Sequence, residues 1–156
     1  MAEIELLLDA AGVSDYLSQV WPQVLGTWEI DELTASYARI RQQTNEANLR
    51  PGGTISGPTL MALADSAAYV LVLGLLGRAA LAVTSSLHID FLRRPVPGEL
   101  VAEATLLKLG RSLITMNVLI FNALPGDTPS LVDGRQTFDR AKPVAAVSTS
   151  YSLALV

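Results

Sequence analysis

Ser56-Gly57-Pro58-Thr59-Leu60-Met61-Ala62-Leu63-Ala64-Asp65 is the stretch on which the reading of this chain turns. It predicts the start of a helix carrying one acidic residue two turns inside an otherwise apolar run. A carboxylate in such a helix is costly to desolvate unless it is paired, hydrogen-bonded or chemically engaged. Ser56 is the expected N-cap, and the free N–H groups after it can hold an anion or a developing oxyanion. The approach, Arg50-Pro51-Gly52-Gly53-Thr54-Ile55, is rich in glycine. An oxyanion donor and a carboxylate base close in sequence suggest acyl-transfer hydrolysis.

From Leu60 to Val83 the chain is almost continuously apolar, broken by Asp65, Arg78 and a few small polar residues. A bilayer-spanning helix needs roughly 20 apolar residues, so length alone permits a membrane span. A central Asp, however, costs about 2.5–3.5 kcal/mol on insertion scales. Gly74, Gly77 and Arg78 also interrupt the run where a soluble helix would stop. The expectation is a core helix over 57–76. Leu60, Leu63, Ala64, Ala67, Leu71 and Leu75 form its tightest stripe, and Ala64, Ala67 and Ala68 are small enough to admit a sheet close to the backbone.

Outward from this helix the periodicity changes. On the N-terminal side, Tyr16, Leu17, Val20, Trp21 and Val24 predict a helix over 12–25, with Ser14 as N-cap and Gly26 as stop. Residues 27–42 read as one long strand, or as two with a bend near Asp31-Glu32. Residues 45–55 read as a loop. On the C-terminal side, 82–92 alternate, with Val83, Ser85, Leu87, Ile89 and Phe91 on one face and Thr84, His88 and Asp90 on the other. Residues 99–107 and 112–122 predict a hairpin around Leu109-Gly110-Arg111. Residues 124–142 read mostly as loop with a short strand piece, and 143–153 as a closing strand. The expected architecture is α+β: an antiparallel sheet curved around one long apolar helix, preceded by an N-terminal helical extension of about 1–25 and forming one domain over 1–156.

Composition narrows the function. Charged residues are 17% of the chain, against about 25% in ordinary soluble domains, which favours a homo-oligomer with buried apolar faces. The formal net charge of −4 argues against a nucleic-acid partner, which would want a basic footprint. There is no cysteine and a single histidine, His88. Thiolate catalysis, cysteine-ligated zinc and disulfides are therefore excluded, and a His-based metal site or Ser-His-Asp triad within one chain has little support. The acidic start, Met1-Ala2-Glu3-Ile4-Glu5, lacks the positive charge of a signal peptide, so a cytoplasmic location and no membrane association are expected.

The ordered set of motifs resembles the hotdog-fold acyl-CoA thioesterases, in particular their phenylacetate-degradation (PaaI-like) branch. Ser56-Gly57-Pro58 stands where that branch has His-Gly-Gly at the start of its central helix, and Leu63-Ala64-Asp65 matches its Leu-Ala-Asp. Leu87-His88-Ile89-Asp90-Phe91-Leu92-Arg93-Arg94-Pro95 resembles the strand that ends Asp-Phe-Leu-Arg-Pro. Gly98-Glu99, Leu109-Gly110-Arg111-Ser112 and the strand from Pro143 follow in family order, so the likeness covers roughly residues 25–153.

The resemblance implies hydrolysis of an acyl-coenzyme A at the interface of a homodimer, or of a dimer of dimers. Asp65 would be the catalytic carboxylate and the Gly57 N–H the oxyanion donor, supplied by different subunits. Thr84 would orient water, and Asn48 would match the asparagine that precedes the glycine motif. Ser56, Arg93, Arg94 and Arg111 would contact substrate. Lys108, Arg140 and Lys142 are further cations for the coenzyme's phosphates. No cofactor is implied, since coenzyme A is part of the substrate. Pro58 has no N–H, so one backbone donor of the family motif is missing. Two alternatives follow from the departures: a hotdog module that binds acyl-CoA without turnover, and a hotdog dehydratase, for which His88 is the one histidine available.

Overall fold

The computed structural model describes residues 3–122, 130–132, 135–137 and 142–153. Its helices are α1 (Ala10–Val20) and α2 (Gly57–Leu76). The strands are β1 (Glu29–Thr34), β2 (Tyr37–Gln43), β3 (Leu49–Arg50), β4 (Thr54–Ile55), β5 (Val83–Phe91), β6 (Glu99–Leu109), β7 (Leu113–Asn122), β8 (Ser130–Val132), β9 (Arg135–Thr137) and β10 (Ala145–Ser152).

α2 has the bounds expected from the sequence. Ser56 caps it by accepting the Thr59 N–H at 3.3 Å, and Pro58 lies in the first turn, where a helix has no use for an N–H. Gly77 ends it at φ +76°, a conformation that side chains resist. Six strands in the order β1-β2-β6-β7-β10-β5 form one antiparallel sheet that packs along α2. Ala64, Ala67 and Ala68 are fully buried beneath it, as are Leu63 and Leu71. The helix is long and apolar enough to cross a membrane, yet 67% of its most apolar window is buried within the molecule. This is the hotdog arrangement, a sheet wrapped around one central helix.

The N-terminal segment straps the far end of α2. The Leu7 and Leu8 N–H groups both reach the Gly74 carbonyl, at 2.8 and 3.2 Å. The Tyr16 hydroxyl accepts the Ala80 N–H at 3.3 Å. A Cβ on Gly74 would meet Leu6 and Leu33 side chains at 3.0 Å, so glycine there permits the close approach.

Several boundaries differ from the sequence reading for local reasons. α1 begins earlier than expected because Asp9, not Ser14, caps it, accepting the Gly12 N–H at 2.8 Å. It ends at Val20 because Pro22 cannot donate, and a separate 3-10 turn follows over Pro22–Val24. The long strand divides into β1 and β2, reversing at Ala35-Ser36; the bend near Asp31 is a bulge in which Ile30 and Glu32 pair with consecutive residues of β2. Asp31 turns there toward Arg41, whose Nε lies 3.2 Å from both carboxylate oxygens. The expected loop over 45–55 holds the short β3–β4 pair, and the region 124–142 contains the β8–β9 pair. Arg140 and the turn residues at 125–127 and 133–134 lie outside the described residues.

The most consequential difference is in β5. Against β10, Ser150 pairs with Ser86 and Tyr151 with Thr84, so Ser85 is skipped. One extra residue shifts the parity of everything before it. Thr84 therefore shares the helix side with Leu87 and Ile89, which pack against the core. It does not share the outer face with His88 and Asp90, as plain alternation predicts.

Candidate active site

Two features of α2 lie eight residues apart. The first is its N-terminus. Ser56 N–H donates to the Asn48 carbonyl at 2.8 Å, and the Ser56 Oγ lies 2.8 Å from the Thr59 Oγ. The Asn48 Oδ1 accepts the Asn45 N–H at 2.9 Å in a small capping box. Ser56 and Asn48 thus both brace the helix start. Gly57 N–H is one of the first-turn donors that a helix leaves free, and among the described residues it has no protein acceptor. A Cβ on Gly57 would approach the Phe91 ring to 3.2 Å, so the residue is glycine where the β5 end crosses the helix start.

A cleft of about 440 Å³ opens at this point, lined by Gly57, Leu60, Phe91, Arg50, Arg93 and Arg94. Three arginines lining a cleft at a helix N-terminus give it a positive character suited to phosphate oxygens. Arg93 spends one N–H on the Pro143 carbonyl at 2.8 Å. Arg50 completes this group and was not singled out from the sequence; its position two residues before a Gly-Gly turn was the available signal. Arg111 stands apart from it. The register places the β6–β7 turn beside Val83 and Ser152, at the opposite end of the sheet from Phe91.

The second feature is Asp65, half-buried on the one stripe of α2 that faces out, formed by Pro58, Met61, Ala62, Asp65 and Tyr69. Thr84 Oγ donates to the Asp65 Oδ1 at 2.6 Å. The Tyr151 hydroxyl donates to the same oxygen at 2.7 Å and lies 3.1 Å from the Asp65 carbonyl oxygen. Oδ2 has no protein partner among the described residues. Burial, and then the negative charge of Asp65, pushes the Tyr151 phenol far above its usual range, so it remains a donor. Its ring stacks on Tyr69 at 6.0 Å with 14° between planes. Trp21 meets Tyr69 edge-on at 6.0 Å. Tyr151 is the site residue that strand reading missed: an inward tyrosine on a central strand needs a polar partner for its hydroxyl.

The single histidine is elsewhere. His88 is exposed on the outer face of the sheet, 3.3 Å from Asp90, beside a separate cleft of about 430 Å³ that also includes Glu103 and Asn117. The described residues include no group of acidic and histidine side chains suited to a metal ion.

Comparison with known proteins identifies the family and the fold. The chain is 41% identical to a Silicibacter sp. TM1040 protein described as a candidate thioesterase, with 96% of this chain and 94% of that one aligned at a TM-score of 0.78. The chain belongs to the thioesterase superfamily. The superfamily's model matches residues 52–127, a span that contains Gly57, Asp65, Thr84, Arg93, Arg94 and Arg111 and excludes Asn48 and Tyr151. Zebra fish thioesterase superfamily member 2 shares the fold at 18% identity, TM-score 0.73, over 94% of this chain and 99% of that one. So does the E. coli PaaI protein of the phenylacetic acid degradation operon, at 19% identity, TM-score 0.68, over 93% and 95%. No curated protein matches the chain. Thioesterase superfamily membership supports thioester hydrolysis in general.

Proposed function

We propose that this thioesterase superfamily protein hydrolyses an acyl-coenzyme A thioester in a homodimer whose two sites each combine Asp65 of one copy with Gly57 of the other. The observation that carries this reading is the placement of one carboxylate, with an open oxygen, on the exposed stripe of an otherwise buried apolar helix. Eight residues of helix separate Gly57 from Asp65 by about 12 Å of rise, too far for both to act on one carbonyl within a chain. β5 is a nine-residue strand with β10 on one side and an unpaired edge on the other. Such an edge is a template for a second strand. Antiparallel pairing of two β5 edges sets the Thr84 end of one copy beside the Phe91 end of the other, and with it Asp65 beside the other copy's helix start.

In this arrangement Asp65 Oδ2 takes a proton from water as the oxygen attacks the thioester carbon. The Gly57 N–H receives the oxyanion, and collapse of the tetrahedral intermediate expels the coenzyme A thiolate, which takes up the proton held by Asp65 and leaves as the free thiol. Arg50, Arg93 and Arg94 bind the coenzyme's phosphates. Arg111, at the Asp65 end of its own sheet, reaches that group only across the pairing. Thr84 donates its hydroxyl hydrogen to the bond with Asp65, so it orients water by accepting a hydrogen bond from it. Asn48 and Ser56 hold the helix start in place.

The test is free-thiol release from short, medium, long and aromatic acyl-CoAs by wild type and Asp65→Asn. Loss of a general base is expected to lower turnover by about 10²–10⁴. Full activity in Asp65→Asn would sink the assignment. Ligand-induced stabilisation without thiol release would favour the non-catalytic binding module. The dehydratase reading has no geometric support, since His88 faces away from Asp65.

A further inference from the structure

We propose that Tyr151 is a positioning residue for this chemistry, clamping one oxygen of Asp65 so that the other faces water; the proposal rests on Asp65 being the base. A carboxylate's terminal torsion is broad and roughly two-fold, so an unrestrained Asp65 would offer either oxygen in many orientations. Here two hydroxyls converge on Oδ1, Tyr151 at 2.7 Å and Thr84 at 2.6 Å. A phenol has one proton, and of the two Asp65 oxygens within its reach the carboxylate is both nearer and charged. Charge-assisted bonds of this length are the strong ones.

The two clamps are not equivalent. Thr84 is exposed and lies on the edge strand β5, next to its bulge. Tyr151 is buried on β10, which is paired on both sides by β7 and β5. Its ring is held by Tyr69, whose own hydroxyl donates to the Ala80 carbonyl at 3.2 Å. Trp21 closes the other side of Tyr69. The rigid anchor of the carboxylate is therefore a residue outside the span matched by the superfamily model, and its hydroxyl acts on the chemistry through Asp65.

Tyr151→Phe keeps the stacked ring and removes only the hydroxyl. It is expected to lower kcat for thiol release about tenfold, the size of one lost hydrogen bond to a charged group, with KM changed less than twofold. Combined with Asp65→Asn it should cause no further loss, because it acts through the carboxylate. An unchanged kcat, or the same tenfold loss in the Asp65→Asn background, would overturn the proposal. Crystal structures of wild type, Tyr151→Phe and Thr84→Val decide it independently of activity. The Asp65 carboxylate is expected to rotate or to populate several rotamers in Tyr151→Phe and to move less in Thr84→Val; a carboxylate unmoved in Tyr151→Phe overturns the clamp. A wild type that releases no thiol would count against Asp65 as base, while the crystallographic comparison still decides the clamp.

Discussion

Asp65 is a residue with two oxygens in different circumstances, and that asymmetry is where chemistry and stability meet. Oδ1 is bonded to Thr84 and Tyr151, and Oδ2 is open. The same contact makes Tyr151 a determinant of alkaline stability. Its folded-state pKa is raised above the ordinary 10.0 by burial first and by the Asp65 charge second. A raised phenol pKa means the folded state holds a proton that the unfolded chain gives up. The stabilisation is fully present below pH 10 and declines as pH rises above it. Denaturant melts from pH 8 to 11.5 should therefore show wild type losing stability more steeply above pH 10 than Tyr151→Phe. Parallel curves would contradict that linkage. Tyr69, raised by its own burial, contributes a decline of the same sign that persists in both proteins.

At the scale of the elements, α2 was legible and β5 was only half so. Ser56 at one end, Gly77 at the other and an apolar run between are local signals, and local signals predict helices well. The cap is also testable: Ser56→Ala is expected to cost about 1 kcal/mol, or roughly 2–4 °C in melting temperature for a domain of this size. A calorimetric scan with no shift would mean that the backbone bonds from Ser56 to Asn48 and from Ile55 to the Pro95 carbonyl hold the helix start without the cap. The bulge at Ser85 is different. Thr84-Ser85-Ser86 contains no glycine to announce a skipped residue, so alternation assigned Thr84 to the wrong face. The resemblance offered Thr84 as a residue that orients water, but neither its bond to Asp65 nor that of Tyr151 was legible, because they span 19 and 86 residues of sequence. The β1–β2 reversal at Ala35-Ser36 escaped notice for a similar reason, having neither Gly nor Asn.

For the molecule as a whole, the proposed dimer has each chain contribute Gly57 to one site and Asp65 to the other. Mixing two inactive variants, Asp65→Asn and Gly57→Pro, should then restore activity. With free subunit exchange half the dimers are mixed, and each mixed dimer carries one intact site of two, so about a quarter of the wild-type rate returns. A mixture that stays inactive after confirmed exchange would show that each site is complete within one chain. The stack that runs from Trp21 through Tyr69 and Tyr151 to Asp65 has an optical consequence as well. The chain contains two tryptophans, Trp21 and Trp28. Replacing Trp28 by Phe leaves a lone indole two rings from the carboxylate, so the protein carries its own fluorophore, tuned by whatever enters or leaves beside Asp65.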